Sequence, residues 1–175
     1  MTIRLAARTD AANMIGLCTL VYAEPDFDLY PRKPMAVNQY RVSADDEQWG
    51  VWANTAGAVQ GLIWTAPSLK DKPQEMFEVL AFYTDPRLVD TERRRIGLEM
   101  IVWEAKRRIA AGWKYCQFEL PVNNVKVRGF AAWVEPTPKS ETVSGTDPLT
   151  GAPLYYHVVW ELAVILPKAE KLLSV

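Results

Sequence analysis

The stretch Phe82-Tyr83-Thr84-Asp85-Pro86, followed after a short join by Glu92-Arg93-Arg94-Arg95-Ile96-Gly97-Leu98-Glu99-Met100-Ile101, decides how this sequence is read. Upstream, Met76, Phe77, Val79, Leu80, Phe82 and Tyr83 crowd the ten residues from Glu75 to Thr84, the density of a buried strand. Asp85-Pro86 ends it, because the residue before a proline is steered away from helix and the proline has no N–H for a ladder. Downstream, Leu98, Ile101, Val102, Ala105 and Ile109 recur at i, i+3, i+4, i+7 and i+11. That spacing predicts an amphipathic helix over 93–111, closed by Gly112 in the left-handed conformation glycine tolerates. Glu104 and Arg108 are spaced on it for an i,i+4 pair, and Lys106-Arg107-Arg108 reads as a solvated face. Three arginines at the start of a helix oppose its macrodipole. One reading is an anion site, with free N–H groups and guanidinium groups holding a phosphate or pyrophosphate and Gly97 letting it approach. The other is an exposed arginine cluster paired with Asp90, Glu92 and Glu99.

Outward from this join the rest of the chain takes shape. Ile3 to Ala6 suits a first strand. Thr9 or Asp10 can cap a helix whose stripe is Ala11, Met14, Ile15, Cys18, Val21 and Tyr22. Residues 24–47 are loop-like, with a short helix expected over 35–42. Trp49 to Ala53 and Ala58 to Trp64 read as a hairpin across Asn54-Thr55-Ala56-Gly57. Lys114 to Leu120 is a further strand, with Cys116 packed within it. Asn123 or Asn124 caps a short helix over 125–133. Residues 135–153 read as a long loop with a strand near 140–144, Leu154 to Ile165 as a final strand, and the last ten residues, 166–175, as a tail. The succession implies one domain over 1–175 of the α/β or α+β class, built on a mixed sheet.

Composition sets the outer bounds. With 175 residues, 49% hydrophobic and seven Trp, the chain can bury a sizeable core, which excludes a mostly disordered protein. The 20 Lys and Arg against 21 Asp and Glu leave a net charge of −1, which argues against a general polyanion or nucleic-acid binder. Two cysteines and one histidine are too few for a four-thiolate zinc site or a disulfide scaffold, so no metal is expected. No stretch has the length of a membrane span and the N-terminus lacks a signal-peptide core, so the expected compartment is the cytoplasm. Exposed aromatics on the last strand leave a homodimer open.

The order of elements, with Thr84-Asp85-Pro86 ahead of Arg-Arg-Arg-Ile-Gly and a long amphipathic helix, resembles the GNAT family of N-acetyltransferases from Ile3 to about Leu162. The family signature is Arg/Gln-x-x-Gly-x-Gly/Ala at the turn from the fourth strand into the third helix. With Gly97 as its first glycine, Arg94 takes the Arg/Gln position and Glu99 stands at the second small residue. With Gly97 as its second, Ile96 and Met100-Ile101 keep the apolar phase, while Arg95 and Glu92 stand at the first glycine and the Arg/Gln. The second register fits the helix better, and in either one glycine is missing.

The resemblance implies a twisted mixed sheet of about six to seven strands with helices on both faces. It implies acetyl-coenzyme A lying in a V between the fourth and fifth strands. Phe82, Tyr83 and Thr84 would meet its pantetheine arm, Arg93, Arg94, Arg95, Ile96 and Gly97 its pyrophosphate, and Asn123 or Asn124 would contact it after the fifth strand. On the residues alone these Asn read first as helix caps. The chemistry implied is direct acyl transfer to an amine: a small amine, a peptide terminus or a protein lysine. Glu78 is the first choice of base, followed by Glu75 and Glu119. The family's proton-donating Tyr lies about seven residues after the Asn, and counting from Asn123 reaches Phe130. Tyr155, Tyr156 or Tyr83 would then substitute, or water would, with Tyr155 the chosen candidate, and His157 reads as a packed strand residue. The alternative is a catalytically inactive protein of the same fold that binds another protein.

Overall fold

The computed structural model describes residues 2–23, 48–67 and 75–175. Alternating apolar runs form strands β1 (Thr2–Leu5), β2 (Gln48–Ala53), β3 (Val59–Pro67), β4 (Met76–Thr84), β5 (Tyr115–Pro121), β6 (Ser140–Thr146) and β7 (Pro153–Glu161). They make one seven-stranded sheet in the order β1-β2-β3-β4-β5-β7-β6. Only the β4–β5 pair is parallel, as a strand–helix–strand crossover requires. The helices among the described residues are α1 (Ala11–Tyr22), α2 (Asp90–Ala110), α3 (Val125–Val134) and α4 (Leu162–Leu173), with a single 3₁₀ turn at Arg8–Asp10. This is an α+β arrangement. The short helix expected over 35–42 lies outside the described residues.

Each sheet face has its own core. On one, Met14, Leu17, Cys18 and Val21 of α1 pack on Trp49, Val51, Leu62, Trp64 and Ala81. On the other, Leu98, Ile101 and Ala105 of α2 and Leu162, Ile165 and Ala169 of α4 cover Phe77, Cys116, Leu120, Val158 and Trp160. Further along α2, Ile96 and Met100 pack with Trp52. A Cβ at Gly61 would stand 2.7 Å from Ile96 Cγ2 and 2.9 Å from Met100 Sδ, so glycine lets α2 lie directly on β3. Burial raises both thiols, Cys18 to about 11 and Cys116 to about 12. No helix among the described residues is long and apolar enough to cross a membrane.

Four expectations need correction. The long helix starts at Asp90, not Arg93: Val89 is its N-cap, Asp90 and Glu92 fill its first turn, and the Arg93 N–H already donates to Val89 O at 3.0 Å. Acids therefore sit where the macrodipole favours them, and the arginines occupy the second turn. Second, the last strand ends at Glu161, and 162–173 is helix rather than strand and tail, with Pro167 inside it. The proline forfeits one helical hydrogen bond, but Leu162, Ile165 and Ala169 bury one face against the core and hold the helix. Third, Arg108 is not solvated. It is 5% exposed beside Glu104 at 3%, and its Nε donates to Glu104 Oε1 at 2.7 Å, the expected i,i+4 pair. Fourth, Asp10 precedes α1 without capping it. Its carboxylate instead accepts from Arg4 and from the Ala7 N–H, and the Arg4 guanidinium holds it below the usual carboxylate range.

Candidate functional site

β4 and β5 share only three register pairs, Met76 with Tyr115, Phe77 with Cys116 and Glu78 with Gln117. Beyond Glu78 they part. Val79–Thr84 runs on beside β3, and 118–121 of β5 beside β7. A β-bulge accompanies the parting: Trp64 faces Ala81 and Thr65 faces Val79, leaving Leu80 as the extra residue on β4. Bulges bend a strand and increase its local twist, which carries the end of β4 away from β5. The bulge also turns two successive residues, Leu80 and Ala81, to the α1 face, while Phe82 packs with the α2 side. The result is a V-shaped opening between the two strands, with no strand among the described residues paired to β4 on that side beyond Glu78.

The bulge is pinned from below. Thr65, fully buried, donates to Glu104 Oε1 at 3.0 Å and accepts from Arg108 Nη2 at 2.6 Å. Arg107 donates to the same carboxylate at 2.6, 2.8 and 2.9 Å. The Arg108 guanidinium lies over Phe77 at 4.9 Å and Trp113 at 5.5 Å. At the far end of β4, Asp85 is 1% exposed and accepts from the Arg87 side chain and N–H, which hold its carboxyl below the usual range. That turn fixes where the strand stops.

The residues singled out from sequence distribute unevenly around the V. Phe82, Tyr83 and Thr84 form the end of its β4 wall, with Phe82 toward α2 and Tyr83 toward α1. Arg93 Nε donates to Thr84 Oγ1 at 3.3 Å, and the Arg94 guanidinium lies 5.8 Å over Trp133 of α3. These two flank the open end. Arg95 turns to the other side of α2, 6.0 Å over Trp52 and 3.3 Å from Glu99 Oε1. Ile96 is core. Gly97 is the eighth residue of α2 and faces Phe130: a Cβ there would stand 2.9 Å from Phe130 Cζ. Asn124 caps α3, its Oδ1 accepting the Val127 N–H at 3.0 Å, while Asn123 is exposed in the preceding turn.

Glu78 closes the β4–β5 ladder, at the point of the V. It lies on the α1 side of the strand, opposite Phe77 and Val79, and its carboxylate makes no hydrogen bond or ion pair with the described residues. Glu75 pairs with Lys114 at 3.0 Å, and Glu119 accepts from Ser144 Oγ at 2.7 Å. Tyr155 pairs with Pro121, four residues beyond the Gln117 that faces Glu78, so it lies about 13 Å farther along the strands. His157 pairs with Glu119, and Tyr156 lies under the Arg128 guanidinium at 4.9 Å. The structure therefore does not bring Tyr155 to Glu78. Sequence reasoning reached Phe130 only by counting. It missed the Leu80 bulge, which no residue type announces, and Trp133. A recess of about 380 Å³ lined by Ile3, Trp52, Val102, Trp103 and Leu173 lies apart from the V.

Solved structures can be superposed over nearly the whole chain. A GNAT-family acetyltransferase from Staphylococcus aureus Mu50 has a TM-score of 0.63 at 12% identity, covering 92% of this chain and 98% of that one. The fold is that of the GNAT acetyltransferases. A protein from Streptococcus mutans UA159 reaches 0.71 at 12% identity, covering 93% and 99%, and the aminoglycoside 6'-N-acetyltransferase from Enterococcus faecium 0.60 at 10%, covering 93% and 97%. At such identities the likeness is one of fold. No family model matches the sequence, and no curated protein matches it significantly. The β4–β5 opening and the long helix are those the resemblance implies, while Phe130 stands where it places Tyr and, in its second register, Arg95 where it places Gly.

Proposed function

We propose that the protein transfers an acetyl group from acetyl-coenzyme A to a primary amine in the cytoplasm. The observation that carries this reading is the parting of β4 from β5 after three pairs, beside the Leu80 bulge. An open strand edge of this kind offers backbone groups to an extended amide-rich arm, as an added strand would. Bound there, acetyl-coenzyme A supplies a thioester carbonyl to the point of the V. Arg93 and Arg94 are the cations available to its phosphates; Arg95 is turned away.

The protein's own part is to position and to move protons. The amine attacks the thioester carbonyl, a C–N bond forms and the C–S bond breaks. Glu78, directly or through a water, takes the amine proton. Backbone N–H groups of β4 near the bulge stabilise the developing oxyanion. The departing sulfur takes its proton from solvent, because Phe130 has none to give and Tyr155 is too far along the sheet. The acceptor class covers small amines, peptide termini and protein lysines.

Thiol release from acetyl-coenzyme A across such a panel of amines tests the reading. Glu78→Gln should lower kcat at neutral pH by about 10²-fold or more, with the KM for acetyl-coenzyme A unchanged. A wild-type pH–rate profile in Glu78→Gln would remove Glu78 as the base. A second reading, a catalytically inactive protein of this fold that binds another protein, is favoured by one observation: the aromatic contact of Phe130 across the opening. Absence of thiol release with every amine class would select it.

A further inference from the structure

Phe130 projects from α3 and joins three elements at the wide end of the V. Its ring stacks on Phe82 of β4 at 6.1 Å between centroids with 25° between planes, and meets Trp133 at 6.0 Å. Its Cζ would lie 2.9 Å from a Cβ at position 97, so the ring rests against the bare backbone of α2, a seat that only glycine leaves open. α3 is otherwise lightly held: only Ala131 and Val134 are buried, while Val125, Val127 and Trp133 are exposed. Phe130 is therefore the bridge between α3 and the walls of the opening. The ring thus lies against the β4 wall and α2 together, on the path that an extended arm running along Phe82 would take.

We infer that Phe130 is a gate on the β4–β5 opening. In the closed position it fills the path along Phe82, and it must swing off Phe82 and Gly97 before an extended thioester arm reaches the point of the V. The inference rests on the acyl-coenzyme reading above. It accounts for two features together: an aromatic without a proton at a position facing the opening, and a glycine in the middle of a helix where glycine otherwise costs stability. Binding then follows opening, and the fraction of open molecules scales the apparent affinity.

Coenzyme A binding to wild type, Phe130→Leu and Phe130→Ala, by calorimetry, tests it. The stacked contact is of the size that holds a gate closed by a factor of about two to ten. Phe130→Ala should thus bind coenzyme A about two- to tenfold more tightly than wild type, with Phe130→Leu between them. Equal or weaker binding by both variants would overturn the gate and leave the acyl-coenzyme reading standing. Binding by none of the three proteins would instead overturn that reading itself.

Discussion

The buried Glu104–Arg108–Thr65 network makes the sharpest stability prediction. Glu104→Leu strands the Arg108 guanidinium, 5% exposed, with the Thr65 hydroxyl at 2.6 Å and two ring faces as its remaining partners. Removing one member of a buried pair costs about 3–5 kcal/mol, because the other charge stays desolvated. Arg108→Met is milder. Glu104 keeps Arg107, whose side chain is 25% exposed and donates to it three times, so the loss is about 1–3 kcal/mol. The double variant should recover about 2 kcal/mol relative to Glu104→Leu, since no charge is then left behind. Urea unfolding followed by circular dichroism reads all three. With a slope of about 2 kcal/mol per molar, Glu104→Leu lowers the midpoint by about 1.5–2.5 M. A Glu104→Leu protein within about 1 kcal/mol of wild type would refute the reasoning, as would an Arg108→Met that costs more. The network matters to the site because Thr65 lies at the bulge that opens the V.

Three further outcomes follow from the packing and the charges. Gly61→Ala places a Cβ 2.7 Å from Ile96 Cγ2 and 3.0 Å from Trp52 Cβ and should destabilise by about 1–3 kcal/mol, whereas Gly129→Ala, inside α3 with nothing within 4 Å, should stabilise by about 0.5–1 kcal/mol; thermal melts separate the two. Neither thiol should react with a maleimide at pH 8 until the protein unfolds, since burial raises Cys18 to about 11 and Cys116 to about 12; rapid native labelling of either would contradict its place in the core. Asp85 has a folded pKa below its unfolded value of about 3.9, so its contribution is complete above about pH 4 and is lost as pH falls through the folded value. The melting temperature of Asp85→Asn should therefore lie below wild type at pH 7 and converge on it in acid; a constant gap down to pH 2 would show that the Arg87 pairing is not the cause.

The frame of the fold was legible because its signals are local. The Asn54–Gly57 turn joins the expected strands, with Asn54 Oδ1 accepting from the Ala56 and Ala58 N–H groups and Gly57 at φ 82°. Gly112, at φ 88°, follows the long helix as expected, and the Glu104–Arg108 pairing was visible in their spacing. What could not be read is what tertiary packing decides. Residues 162–165 read as the end of a strand and 166–175 as a tail, but the stripe Leu162, Ile165 and Ala169 had a core to bury itself in as helix. The charge of Arg93 to Arg95 read as one cluster, yet a helix turns 100° per residue, and that sent Arg94 to Trp133 and Arg95 to Trp52. Gly97 read as a place for an anion, and no residue type announced that Phe130 lies against it. The point of the V at Glu78 depends on where a parallel ladder stops and on a one-residue bulge, neither of which has a residue signature.

Calorimetric titration of the protein with acetyl-coenzyme A tests the central claim most directly. The account predicts saturable heat at one site per chain, weakened by Arg94→Ala and left unchanged by Arg95→Ala, because only the former lies beside the open end of the V. No heat and no thermal shift at millimolar acetyl-coenzyme A would contradict it.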